Sequence, residues 1–261
     1  MHFVKKDIKM IFDKDYAKYY DMFNRDKDYG KEVRFLDKVF KKYSQVSNVL
    51  DIGCGTGIHS EKMVEMGYFV TGIDISEEMI DIAKSKKIKQ TNFSVDDMTN
   101  FDLDKKFDAC TIMFAVIGYL TKNEEIENSL DCVKKHLKKG GLLVFDCWNG
   151  LGVMRDLPTS RIKKTHANGI DIKRISYPSM DPLNQKCDVI FDVEISKEGK
   201  LMKKFEENHS VRFFFPQELR KYLEDAGFEV LKICKSFEFE ENLDETCWNM
   251  SIIARLKKDI I

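Results

Sequence analysis

The run Val49-Leu50-Asp51-Ile52-Gly53-Cys54-Gly55-Thr56-Gly57-Ile58-His59-Ser60 constrains the fold more than any other stretch of the chain. A short apolar strand ends there in three glycines spaced two apart and opens into a helical segment. A side chain at such positions would obstruct a ligand lying against the backbone, and the turn calls for positive φ. About twenty residues on, Val70-Thr71-Gly72-Ile73-Asp74-Ile75-Ser76 ends a second apolar run in a carboxylate, the group that accepts hydrogen bonds from a ribose diol. Together they predict a nucleoside site at the carboxyl ends of parallel strands. Position 58 is isoleucine, so the pattern G-x-G-x-x-G is incomplete and a pyrophosphate cradle is not specified. Asp51 suits an ammonium group better than phosphates.

The same rhythm extends along the chain. Short apolar runs at residues 48–52, 69–73, 91–95, 107–114 and 142–145 read as strands buried on both faces. Amphipathic helices lie between them, the clearest at residues 124–137, where Ile126, Leu130, Val133 and Leu137 share a face and Gly140 and Gly141 supply a stop. Such alternation predicts right-handed crossovers and a doubly wound α/β sheet. Residues 161–211 break the pattern with strand-like runs at 170–177, 187–195 and 209–215, joined by turn signals, and read as an antiparallel insertion. A helix at 216–226, capped by Gly227, and strands at 228–234 and 248–256 return the chain to the main sheet. Ahead of all this, residues 8–43 carry Val33, Leu36, Val39 and Phe40 on one helical face, with Gly30 expected to separate two helices. The expected organisation is one domain: a helical cap at 1–45, a ligand-binding core at 46–150, an antiparallel lid at 151–215 and a C-terminal helix with strands at 216–261.

Composition narrows the function classes. In 261 residues, 43 basic and 44 acidic side chains leave a net charge of −1, which supplies no overall field for a nucleic-acid backbone or an anionic membrane. Seven scattered cysteines without a C-x-x-C pair argue against a disulfide framework and against a zinc site. No metal is therefore expected. The N-terminus lacks an apolar signal region and no stretch is apolar for long enough to cross a bilayer, so the expected compartment is the cytoplasm.

The glycine run preceded by Asp51 and the acidic end of strand two strongly resemble the class I S-adenosylmethionine-dependent methyltransferases. The resemblance implies a Rossmann-like sheet of seven strands, mostly parallel with an antiparallel last strand, and S-adenosyl-L-methionine as cofactor. It implies that Asp51, Gly53, Gly55 and Gly57 line the methionyl moiety, that Asp74 holds the ribose hydroxyls, and that Ile75 and Met79 flank the adenine. In Asp96-Asp97-Met98, an acidic side chain would face the adenine amino group, Asp97 in preference to Asp96. Tyr29, Cys54, His59, Met98, Met113 and Phe114 are placed with the same cofactor. Each residue taken alone also has a plain structural reading, as a cap, a core residue or a solvated turn.

The acceptor is constrained partly by absence. Met113-Phe114-Ala115-Val116 stands where a [DN]-P-P-[YF] tetrapeptide would mark methylation of base or amide nitrogens, which with the neutral charge speaks against nucleic acid. Tyr20-Asp21-Met22-Phe23, Lys27-Asp28-Tyr29, residues 113–120 and Glu206-Glu207-Asn208-His209 resemble the small-molecule enzymes that dimethylate nucleotide-linked amino sugars. That resemblance implies a tyrosine, here Tyr20, beside the transferable methyl. It implies a histidine beside the sugar amine, and Tyr119 stands in that place. His209 is the histidine placed to take a proton or bind the acceptor, since an imidazole titrates in the useful range. Arg212, with Arg161, Lys163 and Lys164, is a candidate for a diphosphate, and Trp148 and Asn149 for the pocket wall. The acceptor is thus a small molecule methylated on nitrogen or oxygen, with an amino sugar leading. A cofactor-binding protein without chemistry and a nicotinamide-dependent reductase remain as alternatives, and monomer and homodimer are both open.

Overall fold

The computed structural model describes residues 14–257. His2 and residues 8–13 of the expected helical cap lie outside the described residues. Two helices come first, α1 (Lys14–Phe23) and α2 (Tyr29–Tyr43). The break between them falls at residues 24–28, not at Gly30. Asp28 caps α2 by accepting from the Lys31 amide, which draws Gly30 into its first turn.

Strands β1 (Asn48–Ile52), β2 (Phe69–Asp74), β3 (Thr91–Val95), β4 (Phe107–Ile112) and β5 (Leu137–Trp148) alternate with helices α3 (Ile58–Glu65), α4 (Glu77–Ser85) and α5 (Asn123–His136). After β5 come α6 (Gly150–Arg155) and the strands β6 (Arg161–Ala167), β7 (Ile170–Asp181), β8 (Lys186–Lys197) and β9 (Lys200–Arg212). Helix α7 (Pro216–Asp225) and strands β10 (Phe228–Lys235) and β11 (Asn249–Leu256) complete the chain. The main sheet has seven strands in the order β10-β11-β5-β4-β1-β2-β3. Pairings among β1 to β5 are parallel, whereas β11 runs antiparallel to β5 and β10. Strands β6 to β9 form a separate antiparallel sheet.

Alternating residues of the central strands face opposite layers, as the pleat requires. Leu50 and Ile52 pack with Ile126, Leu130 and Val133 of α5 and with Leu219 and Leu223 of α7. Val49 and Val70 face the other way, onto Val33, Leu36, Val39 and Phe40 of α2 and Met63 of α3. All seven cysteines are buried and free. No described helix is long and apolar enough to cross a membrane. Because β1 pairs with β2 on one side and with β4 on the other, the chain reverses its winding there and opens a crevice above the carboxyl ends of β1 and β4.

Several boundaries differ from the sequence reading. Helix α5 ends at His136 and passes directly into β5, so Gly140 and Gly141 lie inside a strand. Gly141 is there because a β-carbon would meet the Lys138 carbonyl at 2.8 Å. Strands β6 and the first half of β9 went unread, since their lysine-rich outer faces hide the alternation. Tight packing at Gly72 of β2 gives a test: a β-carbon would approach the Phe93 ring at 2.7 Å and Cys54 Sγ at 2.8 Å. Gly72→Ala should cost about 1–3 kcal/mol of unfolding free energy in urea titrations, the usual range for overpacking.

Candidate active site

The glycine turn is bonded to the end of β2. Gly53 and Cys54 amides donate to the Ile73 carbonyl at 2.8 and 3.0 Å, and the Gly55 amide donates to Asp74 Oδ2 at 2.8 Å. Asp74 Oδ1 accepts from the Ser76 amide at 2.9 Å. The carboxylate keeps acceptor capacity for a ligand hydroxyl. Gly55 has φ +54°, and a β-carbon built on it meets nothing within 4 Å, so bare main chain borders open space. That space is a cavity of about 400 Å³ lined by Gly53, Gly55, Asp74, Ile75, Met79, Asp96, Asp97 and Met98. Val116, Leu120, Thr99 and Glu125 also line it and were missed by sequence reasoning.

The carboxylates of Asp74, Asp96, Asp97 and Glu125 face this cavity, with no lysine or arginine among its described lining residues. Such a wall repels a pyrophosphate and suits a cationic nucleoside. The apolar sides, the bare glycine and the carboxylate at the end of β2 therefore fit S-adenosylmethionine better than a dinucleotide.

A second cavity of about 560 Å³ lies beside the first, between α1, the turn after β4 and the antiparallel sheet. Tyr20, Val116 and Tyr119 line both, so the two chambers meet at these three side chains. Val116–Tyr119 is a single 3-10 turn, presented by two successive left-handed residues, Phe114 (φ 67°) and Ala115 (φ 55°). Buried Asp146 holds that strained pair by accepting from their amides at 2.6 and 3.0 Å. Burial, with the nearby negative charge of Glu32, pushes the Asp146 carboxyl up to about 6. Burial also raises the Tyr20 and Tyr119 hydroxyls above their ordinary range, so both stay protonated.

The Tyr119 hydroxyl and His209 Nδ1 lie 2.9 Å apart. His209 lines the second cavity as expected but does not titrate near neutrality, because burial and the Arg174 charge bring its imidazole down to about 4. Trp148 lines the same cavity and packs on Trp248. Phe114 faces this chamber and not the cofactor cavity, its ring 4.4 Å from Lys27 Nζ.

Other expected residues turn away from both cavities. Asp51 is enclosed, accepting from the hydroxyls of Ser60 at 2.6 Å and Thr111 at 3.2 Å, so it ties β1 to α3 and β4. Cys54 packs with Ile80, Ala83 and Phe93. A β-carbon on Gly57 (φ +80°) would meet Phe93 at 3.0 Å, a packing reason for glycine. His59 is buried 2.6 Å from Glu32 Oε2, with the Tyr29 ring edge-on to it. Met113 is buried in the core. Asn149, fully buried, caps α6 and donates to the carbonyls of Asp244 and Cys247. Arg212 is committed to Glu218 and Asn123, and neither Arg161 nor Lys164 borders the cavity. Lys163 does, together with Lys27, Glu32, Asp146 and Arg174, which sequence reasoning did not assign to the site. Lys27 stood in a quoted triplet, but Arg174 carried no motif.

Residues 49–141 match the family described as a methyltransferase domain. The chain is 29% identical over 223 residues to the dTDP-3-amino-3,4,6-trideoxy-alpha-D-glucopyranose N,N-dimethyltransferase of Streptomyces venezuelae, covering 84% of this chain and 92% of that one. It is 33% identical over 195 residues to YqeM of Bacillus subtilis (strain 168), named as a methyltransferase with no acceptor stated, covering 72% and 76%. An S-adenosylmethionine-dependent methyltransferase from Clostridium acetobutylicum ATCC 824 shares the fold, with a TM-score of 0.79 at 19% identity over 95% of this chain and 99% of the other.

The depressed imidazole has a stability consequence. His209 protonates near 6.5 in the unfolded chain but near 4 in the folded one, so its contribution is complete above pH 6.5 and is lost as pH falls toward 4. Asp146, raised from 3.8 to about 6, works in the opposite direction over much of that window. A single variant separates them: between pH 7 and 4.5, His209→Gln should lose about 2 kcal/mol less stability than wild type in urea titrations.

Proposed function

This chain belongs to the class I S-adenosylmethionine-dependent methyltransferases, and on that premise we propose that it methylates the amine of a sugar-derived small molecule, foremost a nucleotide-linked amino sugar. The observation that carries the reading is the meeting of two cavities at Tyr20, Val116 and Tyr119. A transfer of this kind is an in-line displacement, which needs donor and acceptor on opposite sides of a narrow, water-poor junction. The relative in Streptomyces venezuelae, whose name specifies an amino sugar linked to dTDP, supports the acceptor class.

S-adenosylmethionine, when bound, supplies a methyl group on a cationic sulfur. In the proposed arrangement Asp74 accepts the ribose hydroxyls, and Gly53 and Gly55 let the nucleoside lie on bare main chain. Ile75 and Met79 flank the purine, and Asp97, or Asp96 beside it, faces its amino group. Tyr20, protonated in its buried setting, turns its hydroxyl oxygen toward the junction, where a C–H to oxygen contact orients the methyl carbon. The hydrogen-bonded pair of Tyr119 and the neutral His209 ring lines the second cavity, where it faces the acceptor amine. These two residues, from the turn after β4 and from β9, replace the single histidine of the amino-sugar enzymes that the sequence resembles.

The direct test is release of S-adenosylhomocysteine from S-adenosylmethionine with a panel of amine-bearing sugars and their nucleotide conjugates. Saturable release above the acceptor-free rate supports the reading; binding of cofactor without release for any amine in the panel removes it. Tyr20→Phe should lower kcat at least tenfold and leave the S-adenosylhomocysteine dissociation constant within about twofold, separating a role in the transfer step from one in cofactor binding.

A further inference from the structure

Helix α1 is held on two sides by different parts of the molecule. Its apolar stripe, Tyr16 and Phe23, packs on Ile172, Val193 and Ile195 of the antiparallel sheet, and the Tyr16 hydroxyl accepts from Arg174 Nη1 at 3.1 Å. Asp21 reaches the other way, to the cofactor half. Its Oδ1 accepts from the Thr56 hydroxyl at 2.5 Å and its Oδ2 from Lys86 Nζ at 2.9 Å. Thr56 is buried between Gly55 and Gly57 in the turn after β1, and Lys86 follows directly on α4. A half-exposed ion pair alone would contribute little. Here a buried hydroxyl takes the other carboxylate oxygen, so Asp21 joins α1 to two separate segments of the cofactor half.

Successive helical residues lie about 100° apart around the axis. Tyr16 and Phe23 therefore share a face, Asp21 lies about 140° round from Tyr16, and Tyr20 falls between them at about 40°. With the apolar stripe seated on the sheet and Asp21 tied to the glycine turn, α1 is kept from rolling, and Tyr20 is set where it lines both cavities. We infer that Asp21 is a positioning residue for methyl transfer: it clasps α1 to the glycine turn and so fixes the Tyr20 hydroxyl relative to the cofactor. The link is short, because the Gly55 amide, next to Thr56, is bonded to Asp74. Asp21 is absent from the described lining of either cavity, so it acts through Tyr20 and not by touching a ligand. This deepens the function proposed above and rests on that reading for the role of Tyr20. A misplacement of ~1 Å at a reacting centre costs about a hundredfold in rate, which is the scale on which such a clasp matters.

The first readout needs no acceptor, so its failure and that of the proposed function are distinguishable. With 3-fluorotyrosine incorporated in place of Tyr20, the fluorine resonance of protein saturated with S-adenosylhomocysteine reports the setting of that ring. Asp21→Asn and Thr56→Val should move the resonance toward that of free fluorotyrosine or broaden it, and Lys86→Met should do so to a smaller extent. Lys18→Gln, on the exposed side of the same helix, should leave it in place. Lys86→Met reaches the clasp from a half-exposed position, so the reading does not depend on a buried substitution. Calorimetry should give an S-adenosylhomocysteine dissociation constant within about threefold of wild type for all three clasp variants. With an acceptor that turns over, Asp21→Asn should lower kcat at least tenfold while KM for either substrate stays within about threefold. In a Tyr20→Phe background the same change should cost less than about threefold, because the two residues act as one unit. A resonance unmoved in all three clasp variants, an S-adenosylhomocysteine affinity lost at least tenfold in Asp21→Asn, or a full tenfold loss of kcat added to that of Tyr20→Phe would overturn the assignment.

Discussion

The hydrogen bond from the Gly55 amide to the Asp74 carboxylate joins the two strand ends on which the cofactor site depends. With the Ile73 carbonyl taking the amides of Gly53 and Cys54, it folds the turn after β1 down onto the end of β2. The same carboxylate therefore shapes the turn and faces the cavity. Burial raises the Asp74 carboxyl, and its three backbone donors oppose that rise. A side chain at Gly55 would fill the space this arrangement keeps open, and one at Gly53 would strike Val116. The two glycines thus serve different ends, one clearing room for a ligand and the other allowing the turn after β4 to close over the loop.

That second turn is the other half of the junction, and it is held at a cost. Two consecutive non-glycine residues in the left-handed region carry an unfavourable conformation of order 1–3 kcal/mol each. Asp146 offsets it with two charge-assisted bonds from a buried position at the end of β5. The ionised form holds the turn, yet burial and Glu32 disfavour that form. Placement of Val116 and Tyr119 between the chambers consequently rests on a carboxylate whose own charge is only moderately stable.

Most of the main sheet was legible because its signals are local. Strand β1, the glycines and Asp74 lie within one β-α-β unit, and buried parallel strands announce themselves as apolar runs. The limits of that reading were local too. Asp51, Cys54 and Gly57 share the informative segment with Gly53 and Gly55, but the pleat and the first turn of α3 send them into the core instead of the cavity. Arg212 and Asn149 looked like ligand groups by type alone; Glu218 and the carbonyls of Asp244 and Cys247 had already claimed them. Nothing in a linear string reveals such partners.

The acceptor chamber was hard to read for a complementary reason: its contacts join distant parts of the chain. Tyr16 meets Arg174 across 158 positions and Tyr119 meets His209 across 90. Neither pair has a spacing that a motif could encode, and Arg174 is one basic residue among 43. What brings it beside Lys163 is the register of β6 against β7, a property of the folded sheet. The charge of the two chambers differs. Carboxylates and no described lysine or arginine line the nucleoside cavity, whereas Lys27, Lys163 and Arg174 share the acceptor chamber with Asp26, Glu32 and Asp146. A cationic cofactor is therefore drawn to the first chamber in preference to the second, where opposite charges offset one another, so the two ligands are told apart before any close contact is made.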